Sequence, residues 1–260
     1  MTHKARKRFG QNFLHDPSVI RRIVSAIAPV PGQRLVEIGP GQGAITKELL
    51  KVAGHLDAVE LDRDLIEPLA QMCGDLGELQ IHCADALNFD FHQLAEDDQR
   101  LRVIGNLPYN ISTPILFHLI DQLDCIKDMH FMLQKEVVNR MAAEPGSKSY
   151  GRLSVMLQVH CSVLPLFDIG PGAFKPAPKV ESAFVRLQPH SKPIVQIDDY
   201  ALFGQVVTQA FAQRRKTLRN SLRELIDADA MQALGIDPVM RAERLALDEF
   251  ALLANAIARA

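Results

Sequence analysis

A polar amide, a proline and an aromatic ring occur together in Asn106-Leu107-Pro108-Tyr109. They follow Leu101-Arg102-Val103-Ile104, which has the length and β-branched content of a buried strand. An asparagine side chain can both donate and accept hydrogen bonds with the amino group of a base, and a tyrosine ring offers a stacking face. Pro108 fixes its own φ and restricts Leu107, so the Leu107 carbonyl can be held toward a pocket. The alternative is that this tetrapeptide is only a turn.

A glycine-rich loop, Glu37-Ile38-Gly39-Pro40-Gly41-Gln42-Gly43, follows the first predicted strand. Its spacing also satisfies a dinucleotide fingerprint, so the loop alone does not separate NAD from another adenosine cofactor. Glu60 ends the second strand, 21 residues after Gly39, where its carboxylate can accept from both ribose hydroxyls. Asp85 follows the third strand, where it can accept from an adenine amino group. Ligands bind outside the carboxyl ends of such strands, which predicts one nucleoside-cofactor crevice.

The Asn106–Tyr109 tetrapeptide argues against a dehydrogenase, because it supplies no proton donor of suitable pKa. It suits methylation of an exocyclic amine, which is a poor nucleophile because its lone pair is delocalised into the ring. If the Asn106 side chain and the Leu107 carbonyl accept the two N–H bonds, the nitrogen is drawn toward tetrahedral geometry and its lone pair points at the methyl group. A sulfonium methyl donor then needs no covalent enzyme intermediate, because positioning and electrostatics lower the barrier.

The elements that must position these residues alternate between strand and helix from residue 34 onward. Asp16-Pro17 first indicates a helix start, with Asp16 as the N-cap. The sequence predicts strands over 34–38, 55–61, 79–83, 101–104, 128–133 and 181–187, helices over 44–52, 64–72, 114–122 and 134–141, and a further helix and strand within 151–169. This alternation predicts an α/β fold with a parallel, doubly wound sheet.

The composition becomes that of a linker at 189–193, and only helical patterns follow it, over 199–212, 214–226, 229–234 and 247–258. We therefore predict a Rossmann-like domain over 1–194 and a small all-helical domain over 195–260. The helix predicted over 214–226 carries Arg215, Arg219 and Arg223 at four-residue spacing, which would place them on one face. That face would contact nucleic-acid phosphates or be simply solvated.

The overall composition excludes several classes of protein. A net charge of −2 gives no global attraction to nucleic acid, so the distribution of the basic residues matters more. Four scattered cysteines without a Cys-x-x-Cys pair argue against a disulfide frame or a zinc site and fit a reducing cytoplasm. No apolar run is long enough to span a membrane, and no signal core follows the basic amino terminus. We expect a cytoplasmic protein with no metal and no membrane partner.

Nine segments together carry a resemblance to a known family: Arg8–Leu14, Glu37–Gly43, Val59–Asp62, Asp85-Ala86, Asn106–Ser112, Gln134–Val137, Tyr150–Ser154, Phe174–Ser182 and Gln213–Leu222. They resemble the bacterial ribosomal RNA adenine N6,N6-dimethyltransferases, the small subunit methyltransferase A or kasugamycin-sensitivity family. The resemblance covers nearly the whole chain. The glycine loop is shared by many methyltransferases, whereas the arm Gln11–Leu14 together with Asn106–Tyr109 and Phe174-x-Pro176-x-Pro178 is far more specific.

The resemblance implies a Rossmann-like, S-adenosylmethionine-dependent methyltransferase fold with a small all-helical C-terminal domain. It implies an enzyme that dimethylates two adjacent adenosines in the loop of the hairpin near the 3′ end of 16S rRNA. Its partner would be an assembling 30S subunit, and we expect it to act as a monomer.

The resemblance also implies roles for individual residues. The cofactor would be held by Asn12 and Leu14 as part of a lid over its methionine end, by Gly39 and Gly41 in the glycine loop, by Glu60 at the ribose, by Asp85 at the adenine and by Asn106. Asn106, Leu107, Pro108 and Tyr109 would form the catalytic turn. The target adenine would be flipped out and stacked on Tyr109, with Phe174 on its other face, while Arg215, Arg219 and the basic arm bind rRNA phosphates.

Three alternatives remain. An antibiotic-resistance methyltransferase acting on an adenine of 23S rRNA shares the catalytic core, although the match over 174–222 favours the small-subunit enzyme. A DNA adenine methyltransferase is disfavoured because no separate target-recognition domain is visible. A ribosome assembly factor whose main role is binding, with methylation as a release step, is the alternative from a different class.

Overall fold

A computed structural model describes residues 11–96, 99–109, 111–213 and 215–259 of the chain. The predicted basic arm before Gln11, as well as Asn110 and Arg214, lies outside the described residues. The chain divides into two compact units. The first comprises residues up to Val138 together with Leu164–Pro189, and the second comprises Asn139–Val163 and the residues from His190 onward.

Nine strands occur in the described residues: β1 (Phe13–Leu14), β2 (Leu35–Ile38), β3 (His55–Glu60), β4 (Glu78–Cys83), β5 (Leu101–Asn106), β6 (Ile126–Gln134), β7 (Cys161–Ile169), β8 (Phe174–Lys175) and β9 (Ser182–Pro189). Seven of them form one sheet in the order β4-β3-β2-β5-β6-β9-β7, and β1 pairs with β8 in a second, two-stranded antiparallel sheet. Residues of β2, β3 and β5 are almost wholly buried, as expected for central parallel strands covered on both faces. The α/β fold predicted from the sequence is confirmed.

The sheet is parallel from β4 to β6, but β9 pairs antiparallel with β6. The prediction of a wholly parallel sheet was therefore wrong at this edge. The reason is that residues 170–181, which lead into β9, contain the short strand β8 but no crossover α-helix, and a parallel neighbour normally requires such a crossover.

Helix α1 (Pro17–Ile27) begins where the sequence predicts, with the Asp16 carboxylate accepting hydrogen bonds from the Ser18 and Val19 N–H groups. It ends at Ala28, whose φ of +48° lies in the left-handed region. The buried Arg102 guanidinium donates to the Ile27 and Ala28 carbonyls and pairs with the Asp128 carboxylate. Strand β5, which ends at the start of the Asn106–Tyr109 tetrapeptide, is thereby tied to α1.

The remaining helices are α2 (Thr46–Ala53), α3 (Arg63–Cys73), α4 (Ser112–Ile120), α5 (Lys135–Met141), α6 (Arg152–Gln158), α7 (Tyr200–Phe211), α8 (Leu218–Ser221), α9 (Ala228–Ala233) and α10 (Leu247–Ala258). In the second unit, Tyr150 and Val155 lie in the same buried cluster as Phe203 and Phe250. Part of this helical core therefore comes from Asn139–Val163, earlier than the sequence predicted. The domain boundary between residues 194 and 195 stays a prediction.

The long helix predicted over 214–226 was wrong. Helix α8 has only four residues. At its start, the N–H groups of Leu218 and Arg219 donate to the carbonyls of Met240 and Pro238, not to carbonyls one helical turn earlier. Arg215 precedes α8 and Arg223 follows it, so the four-residue spacing does not place these arginines on one helix face.

None of the helices in the described part of the chain is both long and apolar enough to cross a membrane.

Candidate active site

A cavity of about 350 Å³ lies in the first unit at the carboxyl ends of β2, β3 and β5. Its volume is within the range of small-molecule sites, roughly 300–1,000 Å³. All the predicted cofactor residues line it: Asn12, Leu14, Gly39, Gly41, Glu60, Asp85 and Asn106. Leu107, Pro108 and Tyr109 line it as well. The carboxyl ends of parallel strands meet at one edge of a sheet, which is why residues so distant in sequence share this cavity.

The glycine loop takes backbone conformations that other residues avoid. Gly39 and Gly41 have φ values of +66° and +57°. A Cβ on Gly39 would meet no atom within 4 Å, so this residue leaves open space beside the cavity. A Cβ on Gly41 would lie 3.2 Å from the Phe13 ring of the amino-terminal arm. The loop is therefore shaped to let a ligand approach its backbone at Gly39, while the Phe13 ring packs against Gly41.

Glu60 is the last residue of β3, and its carboxylate is nearly buried at the cavity wall. Its Oε2 accepts from the Gly41 N–H at 3.2 Å and its Oε1 from the Asp62 N–H at 2.8 Å. Burial raises the pKa of Glu60, and these two N–H groups oppose the rise. The same carboxylate thus fixes the glycine loop and presents a hydrogen-bond acceptor to the cavity. Asp62 itself caps α3 by accepting from the Asp64 N–H.

Glu37, which also lines the cavity, is 2% exposed. Burial raises its pKa to about 7, the charge of Glu60 adds to the rise, and the nearby Thr46 hydroxyl opposes it. Even so, neither Glu37 Oε2 nor the Thr46 hydroxyl has a hydrogen-bond partner of good geometry among the described residues. Near neutral pH this side chain is therefore poised between the carboxylic acid and the carboxylate.

Asp85 lies two residues beyond β4, in a turn that its own side chain stabilises. Its Oδ1 accepts from the Leu87 N–H at 3.0 Å, and its Oδ2 accepts from the Asn88 amide at 3.4 Å. The carboxylate is thereby held at the cavity wall at the next strand end after Glu60, where an acceptor for an adenine amino group was expected.

Asn106, the last residue of β5, contacts the amino-terminal arm. Its Nδ2 donates to the Asn12 main-chain carbonyl at 3.0 Å. Three further contacts hold the arm: the Gln11 amide donates to the Asp62 carboxylate at 3.0 Å, Phe13 lies over Gly41, and β1 pairs with β8. The arm therefore forms one wall of the cavity. Phe13 belongs to β1 and its ring lines the cavity, so it joins the arm to the cavity wall.

Tyr109 is held at both ends. The Ser112 hydroxyl donates to its main-chain carbonyl at 3.1 Å, and its phenol shares a hydrogen bond of 2.9 Å with the Ser182 hydroxyl. Neither serine was singled out for the site from the sequence. Ser182 lies 73 residues from Tyr109, and no local pattern reports that contact.

Leu61, which is half exposed beside Glu60, was also missed, although an exposed leucine directly after a strand-end acid is a usable signal.

Three predicted substrate residues are not among those that line this cavity. Phe174 is 3% exposed and packs in the core of the first unit, paired through β8 with Leu14. Stacking of Phe174 on a base would require the ring to leave this position, so that role stays a prediction. Arg215 and Arg219 are exposed residues of the second unit.

Among the described residues, His92, Asp124 and Cys125 are grouped closely enough to suggest a metal site. Both ring nitrogens of His92, however, face carboxylates, at 2.9 Å from Asp90 and 3.0 Å from Asp124. These two carboxylates raise the pKa of His92. Both ring nitrogens of His92 are thus engaged by carboxylates, and the expectation of no metal stays a prediction.

The fold and the cavity define the class of protein: a Rossmann-like, S-adenosylmethionine-dependent methyltransferase. The open glycine loop and the two carboxylates fit the methionine, ribose and adenine parts of that cofactor.

Comparison with known proteins gives the family. Residues 2–259 match the family described as ribosomal RNA adenine dimethylase, and the chain belongs to it. It is 58% identical over 253 residues to the ribosomal RNA small subunit methyltransferase A of Hahella chejuensis, covering 97% of this chain and 93% of that one. It is 55% identical over 256 residues to the protein of the same name from Pseudomonas aeruginosa, covering 98% and 96%. The enzyme is an rRNA adenine dimethyltransferase.

Two solved structures share the fold. A dimethyladenosine transferase from Plasmodium falciparum superposes with a TM-score of 0.80 at 23% identity, covering 93% of this chain and 95% of that one. The 23S rRNA methyltransferase ErmE superposes with a TM-score of 0.73 at 22% identity, covering 95% and 100%. At these identities the likeness concerns the architecture alone.

Proposed function

We propose that this enzyme dimethylates N6 of two adjacent adenosines in the loop of the 3′-terminal hairpin of 16S rRNA. The small-subunit enzymes that it resembles at 55–58% identity support the choice of rRNA. The observation that carries the chemistry is the Asn106 amide, which lines the same cavity as Glu60 and Asp85 and uses its nitrogen to bind Asn12.

S-adenosylmethionine, when bound, supplies an electrophilic methyl group on a sulfonium centre. Glu60 would hold the ribose and Asp85 the adenine amino group, with Gly39 and Gly41 beside the methionine part and Asn12 and Leu14 above it. These contacts fix the donor without covalent chemistry, so most of the barrier reduction comes from positioning.

In the first of the two transfers, Asn106 and the Leu107 carbonyl would accept the two N–H bonds of the target amine. Because Asn106 Nδ2 is engaged by a carbonyl, the acceptor oxygen Oδ1 is the end of the amide left for the substrate. Accepting both N–H bonds localises the nitrogen lone pair and directs it at the methyl group. Pro108 fixes the turn so that the Leu107 carbonyl stays in place.

The target adenine must leave its loop to reach this cavity, and we assign the Tyr109 ring as its stacking surface. Phe174 anchors the arm through β8 in the described conformation, and its predicted place on the other face of the base requires it to move. Arg215 and Arg219 are exposed cations, and we propose that they bind rRNA phosphates.

The proposed setting is an assembling 30S subunit in the cytoplasm. A reducing compartment suits the four free cysteines. We propose a monomer because one chain supplies all the residues named for the cavity.

Transfer of labelled methyl groups to undermethylated small and large subunits, with the modified base mapped, tests the proposal. We expect the label in small subunits, as N6,N6-dimethyladenosine at two adjacent positions of 16S rRNA. Label in 23S rRNA would instead identify the resistance-type reaction. Tight binding to small subunits without transfer would indicate an assembly factor that acts by binding.

A further inference from the structure

Ser182 closes the Phe174-x-Pro176-x-Pro178-x-Val180-x-Ser182 pattern, far from the catalytic turn in sequence. It is the first residue of β9, pairs with Gln134 of β6, and is 1% exposed. Its hydroxyl contacts the Tyr109 phenol at 2.9 Å. The serine is thus fixed by a buried strand, whereas the tyrosine that it contacts is part of the cavity wall.

From this contact we propose that Ser182 is a positioning residue for methyl transfer, acting through Tyr109. The proposal rests on the proposed role of Tyr109 as the surface on which the target adenine stacks. Ser182 touches neither the base nor the cofactor in this account; it determines where the tyrosine ring points.

The geometry of a tyrosine explains how one hydrogen bond can do this. The hydroxyl lies on the axis about which the ring rotates at χ2, so a bond to it leaves that rotation free. It does fix the direction of the ring axis, which χ1 sets. The other end of the residue is fixed by the Ser112 hydroxyl on the Tyr109 carbonyl. With both ends held, the axis of the ring is set before the base arrives and only rotation about χ2 remains, an arrangement that favours a near-attack geometry.

The two ends of the Phe174–Ser182 segment contact two different segments that line the cavity. Phe174 and Lys175 pair with Leu14 and Phe13 of the arm, and Ser182 holds Tyr109 of the turn. The hydrogen bond to Tyr109 explains why the last residue of the pattern is a serine and not another small residue that fits a strand.

The test removes each hydroxyl separately and together, in Ser182→Ala, Tyr109→Phe and the double variant. We expect each single variant to lower kcat about tenfold at saturating small subunits and to leave the Kd of S-adenosylmethionine unchanged. The double variant should lose no more than either single variant, because both remove the same hydrogen bond. Ser182→Thr, which keeps the hydroxyl, should recover most of kcat.

Ser154→Ala is the matched control. Ser154 is a fully buried serine of the second unit whose hydroxyl donates to the Arg140 carbonyl, and its removal should leave kcat unchanged. The chain has three tyrosines and no tryptophan, so 3-fluorotyrosine labelling gives three resonances, and Tyr109→Phe identifies one of them. We expect Ser182→Ala to shift or broaden that resonance.

Wild-type kcat in both Ser182→Ala and Tyr109→Phe, with Tyr109→Ala inactive, would overturn the role of Ser182 and leave the stacking role of Tyr109 intact. Additive losses in the double variant would overturn it as well, because the two hydroxyls would then act independently. An active Tyr109→Ala would instead remove Tyr109 from the proposed function, and Ser182 with it.

Discussion

The Asn106 side-chain nitrogen donates to the main-chain carbonyl of Asn12 at 3.0 Å. This bond determines which end of the Asn106 amide is available, because a carbonyl can only accept. It also joins the end of β5 to the arm that covers the glycine loop. The arm therefore does two things: it closes the cofactor cavity, and it orients the group proposed to hold the target amine.

Replacing Glu60 by alanine should weaken S-adenosylmethionine binding by roughly 10- to 100-fold, since hydrogen bonds to a charged group contribute about 1.5–3 kcal/mol. The variant loses the proposed ribose acceptor and also frees the Gly41 N–H. Titration calorimetry measures the change. Glu48→Ala is the control, because Glu48 lies on α2 and pairs with Lys51. An unchanged affinity in Glu60→Ala would remove Glu60 from the site.

A methyl group at Gly41 should disturb the arm. Gly41→Ala and Gly32→Ala both place alanine in the left-handed region, at φ values of +57° and +79°, but only the Gly41 methyl would press on Phe13. We expect both variants to lose about 1–2 kcal/mol of folding free energy. Gly41→Ala alone should also weaken cofactor binding, by about tenfold or about 1.4 kcal/mol. Equal cofactor affinities in the two variants would mean that the Phe13 contact does not matter for binding.

Glu37 should make the stability of the ligand-free protein fall with rising pH. Its pKa is raised to about 7 in the folded state, so between about pH 4.5 and 7 the folded protein holds a proton that the unfolded chain has released. The unfolded state then binds fewer protons, and the free energy of unfolding decreases as pH rises.

Glu37→Gln keeps the shape of the side chain without a titrating group. Its stability relative to wild type should increase by roughly 2–3 kcal/mol between pH 5 and pH 8. Urea denaturation of both proteins at the two pH values measures this. A difference that does not vary with pH would show that Glu37 titrates normally.

Reversing the charge of Arg215 and Arg219 to glutamate should weaken binding to small subunits and flatten its salt dependence. The slope of log affinity against log salt should fall by about 0.7–0.9 for each phosphate that the variant no longer neutralises. The double reversal of Lys51 and Arg100, exposed residues of the first unit, changes the net charge equally and serves as the control. If both double variants have the wild-type slope, Arg215 and Arg219 are only solvated.

More of the candidate site than of the surrounding fold could be predicted from the sequence. Parallel strands end at a common edge, so Glu60, Asp85 and Asn106 could be placed together once their strands were recognised. The Asp16 cap of α1 is equally local. Long-range contacts gave no such signal. The N–H groups of Leu218 and Arg219, which a helix begun at residue 214 would bond internally, bond to carbonyls about twenty positions later. Ser182 contacts Tyr109 from 73 residues away. The antiparallel edge at β9 likewise depends on the path of a loop.

Single-turnover methyl transfer by Asn106→Ala, with binding to undermethylated small subunits measured on the same samples, tests the central claim most directly. We predict a loss of transfer of at least about a hundredfold, as expected when a group that stabilises the transition state is removed. Binding to the subunits should be unchanged. Transfer at the wild-type rate would contradict the assignment of Asn106 to the reaction.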